Sequence, residues 1–368
     1  MLPLQYIFTV QAAKLSKMRL RYFFNGGLSA MCTVYIIICI IASVFAYQIM
    51  PDKSTNANNQ LIELSVQKPG FTTLLIQQCP INSNTRHTLK SFFGGHAEEC
   101  TYIPIREYTV DNNVIRYTTI DGIQDSCGVN TASYRAFVKE KRYLLGTDRY
   151  GRDVLSRLIL GTRISITIGL MAVIVSLLIG VIIGSVAGYY GGRTDNFLMW
   201  FINVVWAIPS LLLVIAISFA LGRGFRQIFM AIGLTLWVDV ARMVRGQVMS
   251  IKEQEYVYAA KTLGYRPLRI IFRHILPNIT HPLIVLSASN FASAILLEAG
   301  LSFLGIGVQP PMPSWGMMIK EGYPFLIMGN PYLSIIPGVA IMLLVLSFMV
   351  IGNTLSDKLN VKSVGKYR

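Results

Sequence analysis

Few residues in this 368-residue chain are arranged for catalysis. A phosphate-binding loop of the form GxxxxGK(S/T) does not occur, since Gly365-Lys366-Tyr367 lacks both the first glycine and the hydroxyl residue. No set of nucleophile, base and orienting group is evident, and no cluster of Cys and His has the spacing of a metal site. The sequence therefore predicts no ATP hydrolysis by this chain, no catalytic residues, no metal and no cofactor bound by it.

Ionisable side chains inside apolar stretches are the other candidates for chemistry. Glu298 is the deepest isolated acid, and an acid in lipid is costly unless it faces protein or water. It is expected to line a passage, to cap a neighbouring helix or to pair at the outer edge. Asp239 lies one helical turn before Arg242, which favours a local ion pair near the cytoplasmic edge. Glu298 is the candidate for pathway lining.

The stretch Glu253–Asn278 is polar and basic, and it separates two apolar runs of membrane length. Gly264 permits a turn between two helices, Pro267 suits the first position of the second helix, and Pro277 is expected to end it. The helical period places one apolar set on a face of each helix: Tyr256, Ala259, Ala260 and Leu263, then Leu268, Ile271, Phe272 and Ile275. Such a hairpin either docks into a groove on another protein or rests its arginines among anionic lipid headgroups.

The composition indicates a membrane protein. Hydrophobic residues make up 53% of the chain and charged residues only 14%, whereas a soluble domain usually carries about 25% charged residues. The net charge of +15 suggests nucleic acid as a partner at first sight. The lysines and arginines lie mostly beside apolar runs, however, and the preference of basic residues for the cytoplasmic side of a membrane explains them without nucleic acid.

The apolar runs predict six membrane-spanning helices, over about residues 28–50, 164–189, 196–221, 228–248, 281–304 and 332–355. The first run is too long for a cleaved signal peptide, so it is expected to remain as the first helix. Basic clusters place residues 1–27, 249–279 and 357–368 on the cytoplasmic side. In the second span, Gly180, Gly184 and Gly188 predict close helix packing, and in the third Pro209 predicts a kink.

Residues 51–144 differ in character from the rest of the chain. They are polar and contain Cys79, Cys100 and Cys127, which allow at most one disulfide among themselves in any pairing. Alternating residues on either side of Asp111-Asn112-Asn113 predict a β-hairpin over 101–120. The block is expected outside the membrane, either as a small α+β or β domain that touches a delivery protein or as a loop insertion with no binding role.

A motif rich in glycine and aspartate precedes the second span. It predicts a short helix on the outer membrane surface, capped by Thr147 or Asp148 and apolar on one side. The motif residues are Gly146, Thr147, Asp148, Gly151, Arg152 and Asp153. An ordinary interfacial helix would explain this motif if it stood alone.

The hairpin resembles a known family. Ala259-Ala260, Gly264 and Leu276-Pro277 resemble the cytoplasmic coupling loop of ABC importer permeases. The general family pattern has Glu and Ile where this chain has Tyr258 and His274. Those departures fit the dipeptide/oligopeptide branch, in which sequences like Glu255-Tyr256-Val257 and Arg273–Asn278 are typical. Residues 145–157, 294–307 and 313–316 resemble the same branch, and the whole is similar to its C-type subunit with an enlarged extracytoplasmic insertion.

This resemblance implies an all-α polytopic fold of six transmembrane helices like that of the type I importer permeases, with the core over residues 145–356. It implies a sister permease in a heterodimer, two ABC ATPase subunits that use ATP and Mg²⁺, an extracytoplasmic substrate-binding protein, and a place in the bacterial inner membrane. The implied mechanism is alternating access. The residues expected to couple to the ATPases are Glu255, Tyr256, Ala259, Ala260, Gly264, Arg273 and Pro277.

Two other functional classes stay open at this point. A self-sufficient secondary transporter or channel would show internal repeats and several charges at mid-membrane depth, of which one deep acid is evident. A membrane-anchored receptor would work through its outer block. Within the importer class, the substrate is undetermined among dipeptides, longer peptides, peptide-like antibiotics and metal chelates, because selection lies mostly in the binding protein.

Overall fold

The structure is a computed structural model that describes residues 27–80, 95, 100–111, 113–129, 134–222 and 224–364. The predicted cytoplasmic N-terminal segment lies outside these ranges apart from Gly27, as do residues 365–368 of the predicted tail. The described part consists of a bundle of long apolar helices and one antiparallel sheet.

Helices form most of the described chain. Their bounds are α1 Gly27–Val44, α2 Ala46–Ile49, α3 Val154–Tyr190, α4 Gly192–Trp206, α5 Ser210–Leu221, α6 Phe225–Lys252, α7 Glu255–Thr262, α8 Pro267–Ile270, α9 Leu276–Leu304, α10 Trp315–Gly322 and α11 Tyr332–Val364. Within the described ranges, five helical stretches are long and apolar enough to cross a membrane, and α4 with α5 supplies a sixth if that pair counts as one span. This agrees with the predicted polytopic helical fold.

Helix α3 begins earlier than predicted, and the residues of the expected surface helix form its first turns. It runs for 37 residues without a break, and Asp153 caps it by accepting a hydrogen bond from the Ser156 amide. At 1.5 Å per residue α3 is about 55 Å long, well beyond the ~30 Å hydrocarbon core. The prediction of a separate helix capped by Thr147 or Asp148 is wrong, because Gly146–Asp153 forms a turn and no helix-breaking residue follows it.

Close backbone packing joins α3 to α6. A Cβ on Gly180 would lie 2.5 Å from Val240 Cβ, one on Gly184 would lie 2.5 Å from the Ala241 carbonyl oxygen, and one on Gly188 would meet Val248. The predicted packing role of the glycine stripe is confirmed. Because contacts advance in the same direction along both helices, α3 and α6 run parallel.

The chain returns between these parallel helices through α4 and α5, which are bent by 92°. Residues 207–209 between them are not helical. The expected kinked single helix is thus a full break. Pro209 has no amide hydrogen to donate, and its ring clashes with the preceding helical turn, so the backbone separates into two helices at this point.

The sheet is built from β1 Phe71–Pro80, β2 Thr101–Asp111, β3 Val114–Thr119, β4 Gln124–Gly128 and β5 Tyr134–Tyr143, in the order β4-β3-β2-β1-β5 with every neighbouring pair antiparallel. Ile76, Ile105 and Ile115 are buried in its core. The β2–β3 pair confirms the predicted hairpin. Cys79 and Cys100 form the disulfide, which joins the end of β1 to the start of β2, while Cys127 is a buried thiol.

The sheet is tied to the end of the bundle where α3 begins. The Val66 amide donates to the Asp148 carbonyl over 3.0 Å, and the Thr147 amide donates to the Gln67 carbonyl over 3.1 Å. The hairpin of α7 and α8 follows the last residue of α6. Since α3 and α6 run parallel, the sheet and the hairpin lie at opposite ends of the bundle.

The glycine contact can be tested by adding one methyl group. Gly184→Ala places its Cβ against the Ala241 backbone, so we expect overpacking to destabilise the protein by about 1–3 kcal/mol. Gly338→Ala in α11 is the matched control, because a Cβ there meets no atom within 4 Å. Thermal unfolding of the two purified variants gives the comparison, and equal unfolding temperatures would contradict the packing role.

Candidate functional site

Gly264 forms the elbow between α7 and α8. Its φ of +74° belongs to the left-handed region that favours glycine, and a Cβ there would meet no atom within 4 Å. The Gly264 amide donates to the Lys261 carbonyl over 2.9 Å, and the Tyr265 amide donates to the Ala260 carbonyl over 3.1 Å. These two bonds are the Schellman end of a helix. Backbone conformation, and not crowding, therefore calls for glycine at the elbow.

The two hairpin helices bury different faces from those predicted. Of the expected α7 face only Ala260 is buried, together with Val257, while Tyr256, Ala259 and Leu263 are exposed. In the second helix Ile271 and Ile275 are buried as predicted, but Leu268 and Phe272 are exposed. The helical period finds an apolar stripe, but it cannot choose between two adjacent apolar faces until the helix packs on Val244, Val248 and Tyr189 of the bundle.

The exposed hairpin surface consists of Leu263, Leu268 and Phe272, whose exposed fractions are 71%, 65% and 66%. Glu255 and Gly264 are exposed beside it, whereas Arg273 and Pro277 are half-buried. This end of the bundle thus presents large apolar side chains together with basic residues, which is the composition of a protein-docking surface.

Pro277 does not end the second helix. A π turn over Ile271–Ile275 leads directly into α9, and Pro277 occupies its second position. A proline in the first turn of a helical segment removes no intrahelical hydrogen bond, so the chain continues to Leu304. The prediction that Pro277 stops this helix is wrong, and the hairpin continues without a break into α9, a helix long and apolar enough to cross a membrane.

A buried charge cluster of Asp148, Arg152, Arg157 and Glu321 lies at the opposite end of the bundle. The Arg152 guanidinium contacts Asp148 at 2.7 Å and Glu321 at 2.6 Å. The Arg157 guanidinium contacts the same two carboxylates at 3.5 and 3.3 Å. Both arginines are almost wholly buried, with 3% and 2% of their side chains exposed. The cluster joins the turn before α3, the first turns of α3 and helix α10.

The motif glycines allow this cluster to form. Gly146 and Gly151 have φ values of +75° and +71°, and a Cβ at either position would overlap the backbone carbonyl of Gln67 or Leu61. The predicted motif residues therefore do come together, as a turn pressed against the segment before the sheet. Sequence analysis missed Glu321 as their partner because nothing near it in the chain points to a residue so far away in sequence.

Glu298 is fully buried in a ring of serine hydroxyls. Its carboxylate accepts hydrogen bonds from Ser302 over 2.7 Å and from Ser165 over 3.2 Å, and Ser314 bonds to Ser302 over 3.3 Å. These residues lie in α9, in α3 and just before α10. Glu298 thus connects three elements in the interior of this chain, and its predicted part in lining a pathway remains a prediction. Ser302 and Ser314 lie in stretches that resemble the permease branch, but nothing in the sequence paired them or Ser165 with Glu298.

Comparison with known proteins decides the family. The family described as "Binding-protein-dependent transport system inner membrane component" matches residues 180–361, which include the hairpin. The chain is 43% identical over 222 residues to the oligopeptide transport system permease protein OppC of Bacillus subtilis (strain 168), covering 60% of this chain and 72% of that relative. The chain belongs to this permease family.

Other relatives of this permease carry related names. The dipeptide transport system permease protein DppC of Bacillus subtilis (strain 168) is 44% identical over 217 residues, which are 59% of this chain and 68% of the relative. The glutathione transport system permease protein GsiD of Pectobacterium atrosepticum is 38% identical over 218 residues, which are 59% of this chain and 72% of that relative. An inward-facing structure of the MetNI methionine ABC transporter has a TM-score of 0.47 at 16% identity, covering 55% of this chain and 96% of that one. The matched family residues, 180–361, do not include the sheet.

The charged residues of α6 in this permease have partners other than those predicted. Asp195 of α4 binds Arg245 with two hydrogen bonds of 2.5 and 2.6 Å. Arg242 donates to the Asn203 side chain over 2.6 Å instead of binding Asp239. The predicted pair between Asp239 and Arg242 therefore forms no direct salt bridge, because the Arg242 side chain reaches across to α4, although the charge of Arg242 still acts on Asp239. Among the residues that the structure describes, no group of three His, Cys, Asp or Glu is placed to hold a metal.

Removing one carboxylate tests the buried cluster of the permease. Glu321→Gln leaves two buried guanidinium groups sharing one carboxylate, and losing one partner of a buried pair typically costs about 3–5 kcal/mol. We expect the unfolding temperature to fall by at least about 5 °C. Lys320→Gln, at the exposed neighbouring position, is the control for a one-unit change of charge. A Glu321→Gln variant as stable as this control would refute the structural role of the cluster.

Proposed function

We propose that this permease is a membrane subunit of an ATP-driven importer that moves di- or oligopeptides. The names of its relatives support the peptide class, since they describe oligopeptide, dipeptide and glutathione transport permeases. ATP would be hydrolysed by partner subunits, because the chain lacks a phosphate-binding loop. The substrate would be delivered by an external binding protein, and a sister permease would complete the pathway.

The observation that carries this proposal is the exposed apolar surface of the hairpin. Leu263, Leu268 and Phe272 are exposed on the hairpin beyond the end of α6, and exposure of such large apolar side chains favours burial against another protein. We assign that protein as the ATPase subunit. Glu255, Tyr256, Ala259, Ala260, Gly264, Arg273 and Pro277 form the coupling segment in this proposal.

The continuity from the hairpin to α9 suggests how force would pass. The π turn and α9 follow α8 without a break, so displacement of the hairpin tilts a helix that spans the membrane. ATP-driven closure of the ATPases would move the hairpin, and the spans would alternate between inward and outward openings. In this arrangement residues 145–356 are the permease domain, and the hairpin and both chain ends are cytoplasmic. Residues 51–144, at the other end of the bundle, are extracytoplasmic.

A substitution at the elbow tests the coupling. Gly264→Leu forces a side chain into a left-handed backbone conformation, at a cost of about 1–2 kcal/mol, and so distorts the elbow. We expect normal membrane insertion with peptide uptake reduced more than tenfold in whole cells. Gly222→Leu is a matched control, since Gly222 has a φ of +89° and equally open surroundings but lies between α5 and α6. Normal uptake by Gly264→Leu would contradict the coupling role.

A second substitution tests the docking surface itself. Phe272→Asp places a charge where an apolar side chain is 66% exposed, so we expect co-purification of the ATPase subunits to fall at least tenfold while the permease still folds. Ile123→Asp in the sheet domain, at a position 63% exposed, is the control. Undiminished co-purification of Phe272→Asp would remove the ATPase from this surface. Peptide transport by the purified chain alone would favour a self-sufficient carrier.

A further inference from the structure

Asp239 lies at the middle of the membrane-spanning region. Helix α3 is uncharged from Ile164 to its end at Tyr190, and its Gly180, near the centre of that stretch, packs directly on Val240 of the parallel helix α6. Asp239 is thereby fixed at the depth where a charge is most costly in a bilayer. The contact with α3 therefore places Asp239 at mid-depth, whereas the sequence predicted a position near the cytoplasmic edge.

The side chain of Asp239 is exposed on the surface of this chain. Its neighbours Val238 and Val240 are buried, with 3% and 0% of their surface exposed, so α6 turns Asp239 away from the helices of its own bundle. Asp239 has no hydrogen bond or salt bridge to any residue in the described ranges. The charge of Arg242, one turn away, acts on Asp239 without a hydrogen bond or salt bridge between them. A carboxylate without a hydrogen-bonded partner at this depth is not stable against lipid tails, so in the assembled protein it faces water or another polar group.

The side chain of Arg242, one turn further along α6, is held in place by two contacts with α4. Its terminal nitrogen donates to the Asn203 side chain over 2.6 Å, and its guanidinium carbon lies 4.1 Å from the ring centre of Trp206. The Nε of Arg242 is itself buried and has no acceptor in the described part of the chain, so a ligand would reach the guanidinium through its terminal nitrogens. A guanidinium positioned by an amide and an aromatic ring is suited to binding a carboxylate or a carbonyl oxygen.

The helix break adds an independent observation on the same side of the chain. Ala207, Ile208 and Pro209 directly follow Trp206, and all three are exposed and non-helical. Within a membrane, non-helical backbone is tolerated where it is buried in protein or lines a water-filled cavity, and not against lipid. An exposed break and an exposed carboxylate therefore require the same non-lipid surroundings.

We propose that Asp239, Arg242 and Asn203 form a substrate-contact site in the transport passage, for the charged ends of a peptide. Asp239 binds the ammonium group, and Arg242, oriented by Asn203 and Trp206, binds the carboxylate or a peptide carbonyl. The two opposite charges lie one helical turn apart, which suits a short zwitterion. The class of ligand rests on the proposed peptide transport, whereas the exposure of the site to water does not.

The first experiment measures access from water. In proteoliposomes that contain the whole importer, Asp239→Cys and the control Val238→Cys are treated with a membrane-impermeant, positively charged thiol reagent, and labelling of the parent chain is subtracted. We expect Asp239→Cys to react at least tenfold faster than the buried control, and saturating dipeptide to slow the reaction. Labelling no faster than that of Val238→Cys, or cross-linking of Asp239→Cys to the sister permease, would overturn the proposal. Labelling that dipeptide leaves unchanged would overturn the assignment of the ligand.

The second experiment measures transport. We expect Asp239→Asn to lower the initial rate of dipeptide uptake about tenfold and Asp239→Glu, which keeps the charge, to retain uptake within about threefold of the parent. Unchanged uptake by Asp239→Asn, or equal losses in both variants, would overturn the charge-based site. If the parent importer itself takes up no peptide, the proposed function fails, while the labelling experiment still reports whether Asp239 faces water.

Discussion

The close contact between α3 and α6 is the constraint on which the rest of the structure depends. Gly180, Gly184 and Gly188 let the backbones approach so closely that any larger residue would displace α6. In lipid, where apolar side chains gain nothing by leaving the solvent, such backbone proximity is a main source of helix association. The parallel direction of the two helices then places the sheet at one end of the bundle and the hairpin at the other, and it requires the chain to return through α4 and α5.

The two ends of the bundle are built on opposite physical principles. At the sheet end, two arginines and two carboxylates are buried together and join three segments that are far apart in sequence. Such a cluster holds one geometry, since separating any partner leaves a charge buried alone. At the hairpin end, large apolar side chains stay exposed on a short helical unit. The charged groups at one end are satisfied within the chain, whereas the other end leaves large apolar side chains unburied.

Two other acidic side chains of the bundle have hydrogen-bond partners. Glu298 is surrounded by serine hydroxyls, and Asp195 is bound by Arg245. Asp239 departs from this pattern, since it is exposed at mid-depth beside an exposed break in the helix. A membrane protein cannot leave such groups against lipid, which is why we propose that this face of α6 lines the passage.

Local periodicity was sufficient to predict the approximate positions of the apolar helices and the β2–β3 hairpin, and the glycines were sufficient to predict the packing face of α3 and the elbow at Gly264. Six spans were predicted, and the described residues contain five candidates, or six if α4 and α5 count as one. Partners distant in sequence were not predictable. The structure was needed to show that Glu321 belongs to the charge cluster. It was also needed to show that Cys79 forms its disulfide with Cys100 and not with Cys127. The buried face of α7, the full break at Pro209 and the mid-depth position of Asp239 likewise depend on packing against other helices, and a local pattern carries no information about which neighbour a side chain will meet.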